Sequence, residues 1–317
     1  MEVAVVGCGV IGLTSALKLQ ELGYPVTLIS KETPSLTTSH KAGAVWLPFE
    51  PTPPPKVIRW AWESYQNFTK LCHNPKTGVQ PTSLHLLGSS PPPWLKQLPE
   101  LSYRPLQKQE LPTPYQKGIC LPSFIISPPS YLSFLLDLFL QNGGRLLQQN
   151  ISNLRSLPFS LVVNCTGLEA KKLVQDSQLH PIQGHIVQLK PLSSPTPCFF
   201  DKEGPLALAY IIPRQDAWVL GGNATAHQSS TQPNPTIIQE ILEKCRKIYP
   251  PLQRLSPANT YVGLRPGRKN IRLEVEEIDS QRWVIHNYGH GGSGFTLSWG
   301  CAQKVAQLAQ QLTPPPP

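Results

Sequence analysis

The chain has 317 residues, enough for two modest domains or one large one. Charged residues are scarce at 15% and prolines number 36, yet the 40% apolar share argues against general disorder, and the proline runs lack the period of a fibrous chain. The formal net charge is +9 with Lys and Arg scattered, which favours a basic protein able to attract small anions over a nucleic-acid binder.

Val3 to Val6 is a short continuous apolar run, the pattern of a parallel strand buried on both faces. Gly7-Cys8-Gly9-Val10-Ile11-Gly12 follows directly. Leu13, Ala16, Leu17, Leu19 and Leu22 then recur at helical spacing until Gly23, and Val26 to Ile29 reads as a second strand. In such a strand–turn–helix–strand, Gly7 permits the tight bend and Gly9 lets backbone approach a pyrophosphate. Gly12 lets helix and strand pack closely, and the free amides at the helix start, Val10 and Ile11 among them, hold phosphate. An acid is expected at the end of the second strand to take the adenosine ribose. Ser30 stands there, then Lys31 and Glu32, so either Glu32 reaches the ribose from a shifted position or backbone and Lys31 do that work.

Further along, Lys56 to Cys72 has helical apolar spacing, and Val79 to Ser127, rich in proline, is expected to form short strands and loops on a domain edge. Ser130 to Asn142 reads as a helix and Leu161 to Asn164 as a buried strand, followed by the turn Cys165-Thr166-Gly167. Ile186 to Leu189, Ala207 to Ile212 and Trp218 to Gly221 read as antiparallel strands, and Pro235 to Lys247 as a helix. Tyr261-Val262, Ile271 to Val275 and Trp283 to Asn287 read as strands, and a second glycine-rich turn, Gly289 to Gly294, leads into a helix from Phe295 to about Leu312. The alternation implies an α/β chain: a Rossmann-type nucleotide-binding domain in three pieces (1–50, 128–176, 257–317) with a sheet-rich α+β substrate domain inserted in two (51–127, 177–256).

The seven cysteines form no C-x-x-C pair, and Met1 runs almost straight into the first strand, so a reducing, cytoplasmic setting without zinc is expected. The longest apolar stretch, Tyr131 to Leu140, is short and carries Asp137, so no membrane span is expected.

Six separated motifs together resemble the D-amino-acid oxidase family, which includes D-aspartate oxidases. They are Gly7 to Gly12; Thr37-Thr38-Ser39 with Ala44-Val45-Trp46; Asn164 to Gly167; Tyr210-Ile211-Ile212-Pro213; Gly263-Leu264-Arg265-Pro266 with Ile271 to Glu274; and His286 to Thr296. The resemblance implies bound FAD, with its pyrophosphate over Gly9 to Ile11. Thr37, Thr38 and Ser39 would meet the phosphates and flavin, and Ala44, Val45 and Leu47 the isoalloxazine ring. Ile151 would contact the adenine side, with Thr166 and Gly167 also on the cofactor. Gly291, Gly292, Ser293, Gly294, Phe295 and Thr296 would lie against the pyrimidine part of the ring. It further implies that Arg265 binds the substrate α-carboxylate, Tyr210 assists through its hydroxyl, and the Gly292 carbonyl accepts the amino group. A planar guanidinium with a phenol beside it suits a carboxylate.

The chain departs from the family where a mobile lid tyrosine is common. Leu206 stands there on a short loop, so the lid is expected to be reduced and the site open. Leu47 and Ser293 also replace commoner residues. The implied reaction converts a D-amino acid and dioxygen to a 2-oxo acid, ammonia and hydrogen peroxide, by hydride transfer from Cα to flavin N5 with no protein base at Cα. His286 and His290 are expected to stabilise turns rather than act as bases. Leu47, Leu206 and Trp46 are expected to line an apolar pocket for neutral or aromatic substrates, and Arg214 is the nearest cation for an acidic one. The alternatives are a D-aspartate oxidase, a glycine- or sarcosine-type amine oxidase, an FAD-binding protein without turnover, and an NAD-dependent dehydrogenase. A homo-oligomer is left open.

Overall fold

Alternating strands and helices at the two ends of the chain build one sheet, and the strand-rich middle builds another. The computed structural model describes residues 2–48, 54–193 and 196–312. In chain order the strands are β1 (Val3–Val6), β2 (Val26–Ser30), β3 (Val79–Leu87), β4 (Arg104–Pro105), β5 (Gly118–Ile126), β6 (Arg145–Gln148), β7 (Leu161–Asn164), β8 (His180–Leu189), β9 (Cys198–Asp201), β10 (Tyr210–Pro213), β11 (Trp218–Gly221), β12 (Thr225–Ala226), β13 (Asn259–Gly267), β14 (Arg272–Asp279) and β15 (Arg282–Tyr288). The helices are α1 (Val10–Glu21), α2 (Pro55–Leu71), α3 (Pro128–Gln141), α4 (Ala170–Leu173), α5 (Pro235–Ile248) and α6 (Gly294–Leu312).

The first sheet runs β14-β15-β7-β1-β2-β6, parallel except for the edge strand β14. Every residue of β1 is buried, as its unbroken apolar run requires. Val3 and Val5 meet the layer of α1, α3 and α6, while Ala4 and Val6 pack with Ile29, Val162 and Val284 on the other face. The edge strand β6 is mostly exposed, and its mixed polar and apolar residues gave no signal in the sequence.

The second sheet, nine-stranded among the described residues, runs β12-β8-β11-β10-β9-β3-β5-β4, with β13 on the other side of β8. The proline-rich middle corrects the expectation of short pieces: β3 and β5 are long strands paired from Val79↔Ile126 to Leu87↔Gly118. Pro81 and Pro122 fit because β9 flanks β3 only at Leu84–Leu87, and β4 flanks β5 only at Ile119 and Cys120. Each proline therefore lies where its strand has one free edge and no ladder donor is needed. A further difference concerns 257–267, expected with the nucleotide-binding unit. The structure pairs β13 with β8 along its length, from Asn259↔Gln188 to Gly267↔His180. Alternation in the sequence marks a strand but not its partner. The expected boundary at 50/51 and the proline run 314–317 lie outside the described residues. Among the described residues no helix is long and apolar enough to cross a membrane.

Candidate active site

Strand register decides which side chains share the floor of the site. Arg265 lies opposite Ile182, Gly263 opposite Gly184, Gly221 opposite Ile186, and Tyr210 opposite Gly221 and Phe200. Because side chains alternate along a strand, these residues point to one face. The intervening residues Val187, Ile211 and Leu220 point the other way, onto Ile241, Leu242 and Cys245 of α5.

Two glycines make room on that floor for its two polar side chains. A Cβ on Gly184 would fall within the Arg265 guanidinium, and a Cβ on Gly221 within the Tyr210 phenol. The guanidinium thus lies across β8, with Nη1 donating to the Asn223 carbonyl at 3.4 Å, and the phenol lies across β11. Burial pushes the Tyr210 phenol above its usual value and the Arg265 guanidinium draws it back, so the hydroxyl stays protonated and able to donate.

The first sheet's glycine turn lines the same cavity as this floor. Gly7 has φ +107°, and a Cβ there would sit 2.5 Å from the Cys165 carbonyl oxygen. Gly9 caps α1 without a side chain, and the Val10 N–H donates to Ser39 Oγ at 3.0 Å, which ties the Thr37–Ser39 segment to the helix start. Gly167 and Gly291 have φ +58° and +54°, and a Cβ on either would meet open space. The Gly291 N–H donates to the Pro266 carbonyl at 2.8 Å, which joins the second glycine turn to the strand carrying Arg265.

The run from Ala44 to Leu47 is clamped from two sides. Ala44 has φ +59°, unusual for a residue with a Cβ and costing about 1–2 kcal/mol. Its carbonyl accepts from the Ile126 N–H at 2.9 Å, and the Trp46 N–H donates to the Phe124 carbonyl at 2.8 Å. Thr296 Oγ1, at the start of α6, accepts from the Leu47 N–H at 3.2 Å and donates to the Leu47 carbonyl at 3.1 Å.

These parts enclose one continuous cavity of about 910 Å³. Gly7, Gly9, Val10, Ile11, Lys31, Glu32, Thr37, Thr38, Ser39, Ala44, Val45, Leu47, Ile151, Thr166, Gly167, Tyr210, Arg265, Gly291, Gly292, Gly294, Phe295 and Thr296 all line it. Gly12 and Ser293 do not. A Cβ on Gly12 would collide with the Gly7 carbonyl, so Gly12 serves close packing of the turn, and the carbonyl of Ser293, just before α6, accepts from the Leu297 N–H at 3.0 Å. Glu32 and Glu169, the carboxylates that line the cavity, lie 3.7 and 3.1 Å from Lys31. Among the described residues none lines the floor around Arg265.

Several expectations are corrected. Trp46 is fully buried, its indole N–H donating to the Ala61 carbonyl at 2.9 Å, and does not reach the cavity. Leu206 packs into the core behind the second sheet, and Leu208, with φ +66°, lines the cavity instead. Arg214 is buried and held by both carboxylate oxygens of Asp216 and by the Ala42 carbonyl, so it is not free for a substrate. His286 lies off the cavity, with Nε2 3.0 Å from Glu276 and Nδ1 3.3 Å from the Asn164 amide. His290 lines the cavity, but burial holds its pKa down to about 3, so the ring is neutral, and its Nε2 has no partner. Burial also lifts the Cys165 and Cys198 thiols to about 12, which leaves both inert as nucleophiles. Gly184, Gly221, Phe200 and Leu208 were missed as site residues. Phe200 and Gly221 lie directly opposite Tyr210 on the neighbouring strands, a relation that no local sequence pattern carries.

The residues present fit a flavin dinucleotide. They offer a helix start whose N-cap, Gly9, has no capping side chain, behind a glycine turn, two glycines open to the cavity, and an orphaned buried ring nitrogen on its wall.

Comparison with known proteins agrees. The profile of the FAD dependent oxidoreductase family matches residues 2–308. A D-amino-acid oxidase of Rubrobacter xylanophilus is 38% identical over 312 residues, covering 96% of this chain and 94% of the relative. One from Dictyostelium discoideum is 35% identical over 327 residues, covering 99% and 93%. The fold superposes on a glycine oxidase from Bacillus cereus with a TM-score of 0.82 at 20% identity, covering 98% of this chain and 95% of the other. The floor carrying Arg265 and Tyr210, the paired glycine turns and these relatives point the same way, and the chain belongs to the D-amino-acid oxidase family of FAD-dependent oxidoreductases.

Proposed function

We propose that the protein oxidatively deaminates D-amino acids with neutral side chains, and that Arg265 and Tyr210 hold the substrate α-carboxylate. The observation that carries this reading is the guanidinium–phenol pair on the sheet floor, lining the same cavity as the two glycine turns. Gly7 to Ile11, Thr37 to Ser39, Ala44, Val45, Leu47, Gly291, Gly292 and Gly294 to Thr296, which line the cavity, would hold FAD, and the bound flavin would supply the acceptor for the Cα hydride and its two electrons.

The chain's own residues do the positioning. Arg265 offers two parallel N–H donors to a carboxylate and Tyr210 a third from a stiff aromatic arm. In this reading the Gly292 carbonyl accepts from the amino group; Gly292 lies beside Arg265, a Cβ on it falling 3.5 Å from Arg265 Cδ. Pinning both groups leaves Cα one orientation, which is how a rigid site discriminates hand. Among the described residues no carboxylate lines the floor around Arg265, Tyr210 is protonated, and His290, its pKa held down to about 3, is too weak a base to take a proton near neutral pH, in keeping with hydride transfer from a neutral amine. The imino acid released hydrolyses to the 2-oxo acid and ammonia. Dioxygen is the electron acceptor in this reading and hydrogen peroxide the product.

The walls support neutral substrates, since Leu47, Leu84, Phe200, Leu208 and Ile212 are apolar and Arg214 is engaged elsewhere. A second reading, acidic substrates, has one observation behind it: Lys41 also lines the cavity. Peroxide release across a panel of D- and L-amino acids, glycine and sarcosine tests both. Turnover of D-alanine and D-phenylalanine above that of D-aspartate and of every L-enantiomer is expected. Preference for D-aspartate, abolished in Lys41→Met, would favour the second reading. The seven free thiols, all but Cys72 buried, favour a reducing compartment, which we take to be the cytoplasm.

A further inference from the structure

The connection from β9 to β10 is short and unusually well tied. Asp201 closes β9 and is fully buried. Its carboxylate accepts from the Tyr115 hydroxyl at 2.5 Å, the Gly204 N–H at 2.5 Å and the Leu206 N–H at 2.8 Å. The loop's own backbone closes on itself, with the Asp201 N–H donating to the Ala209 carbonyl at 2.8 Å and the Ala209 N–H to the Leu206 carbonyl at 3.0 Å. From behind, Lys244 of α5 donates to the Ala207 carbonyl at 3.2 Å. A buried carboxylate with three donors is costly to uncover, so a loop folded around one does not swing.

Leu206 points into the rear core. Leu208, two residues before Tyr210, instead takes a left-handed backbone that turns the chain so that its side chain lines the cavity. There it joins Leu84, Phe200 and Ile212 on the floor's apolar side. Strained φ values persist where surrounding bonds over-determine them, and here those bonds are the ones to Asp201.

Resting on the reading of the site as an amino-acid oxidase, we propose that residues 202–209 form a fixed wall rather than a closing lid, and that Leu208 on this wall sets the upper size of the substrate side chain. Asp201 and Tyr115 are positioning residues that hold the wall.

The test uses the FAD-loaded protein and the ratio of kcat/KM for D-tryptophan to that for D-alanine. Leu208→Ala should raise this ratio about tenfold or more. Leu208→Gly, whose backbone is compatible with positive φ and which therefore folds without the strain, should raise it at least as far. Tyr115→Phe leaves the cavity lining intact but removes one donor from Asp201. It should move the ratio in the same direction by a smaller factor and speed hydrogen exchange over 202–209, which is expected to be slow in the unaltered protein. A ratio within twofold of the parent in both Leu208 variants, with D-alanine still oxidised by the parent, overturns the role of Leu208 alone. Rapid exchange over 202–209 in the parent overturns the fixed wall. A parent inactive on every D-amino acid overturns the reading of function and this proposal with it.

Discussion

At the scale of single residues, the site depends on absent side chains as much as on present ones. Arg265 and Tyr210 lie flat because Gly184 and Gly221 have no Cβ to lift them. Gly221→Ala drives a methyl into the phenol of a strand-paired neighbour. It should displace the Tyr210 hydroxyl and lower kcat/KM for D-alanine by about tenfold to a hundredfold, the loss of one charge-assisted contact. Gly184→Ala should be worse, because the guanidinium carries the larger share of the carboxylate. Unaltered kinetics in a folded Gly221→Ala protein would show that Tyr210 does not touch the substrate. The sequence pointed to Arg265 and Tyr210 through the family's motifs, and both line the cavity. It did not carry these glycines, since a glycine in a strand becomes meaningful only once its cross-strand neighbour is known.

At the scale of elements, a single hydroxyl joins the two halves of the cradle. Thr296 Oγ1 satisfies both the N–H and the carbonyl of Leu47, and both residues are buried. Thr296→Val keeps the shape but leaves two backbone groups unpaired. It should cost about 1–3 kcal/mol in urea unfolding and weaken FAD binding measured by flavin fluorescence. Thr296→Ser should restore both, and a Val variant as stable and as tightly loaded as the parent would contradict the clamp. The local glycine-turn units were legible because each is written contiguously, as in Gly7 to Gly12 followed by a helix. The proline-broken stretch between 79 and 127 was not, because a proline is tolerated in a long strand wherever one edge is free, and edges belong to the assembled sheet. The lid position was misjudged for a related reason. Counting back from Tyr210 selects Leu206, whereas the backbone turn at Leu208 reverses which side chain faces the cavity.

At the scale of the whole molecule, burial of ionisable groups sets the dependence of stability on pH. Burial lowers the pKa of His290 to about 3, from an ordinary value of 6.5. It also lowers that of His286, against the opposing pull of Glu276. Below 6.5 the unfolded chain takes up protons that the folded chain refuses, so stability is full above that value and declines as the pH falls toward the folded pKa. The slope approaches about 1.4 kcal/mol per pH unit for each such proton. The Cys165, Cys198 and Cys245 thiols have the opposite sign: burial lifts them from 9.0 to about 12, so their contribution is full below 9 and fades as pH rises beyond it. Urea unfolding should therefore show a plateau between about 6.5 and 9, with an acid limb that His290→Gln makes shallower by one proton's worth. An acid limb of unchanged slope in that variant would contradict a buried neutral His290. The sequence showed the histidine in its glycine turn but not its burial, which only the assembled fold sets.

The central claim joins the scales: Arg265 on the sheet floor fixes a D-amino acid against a flavin held by the two glycine turns. Anaerobic mixing of the FAD-loaded protein with D-alanine, and separately with L-alanine, reads this directly through the visible absorbance of oxidised flavin. Rapid bleaching is predicted with D-alanine and not with L-alanine, and Arg265→Leu should bleach at least a hundredfold more slowly at the same concentration. No bleaching with any D-amino acid, or equal rates for the parent and Arg265→Leu, would contradict the account.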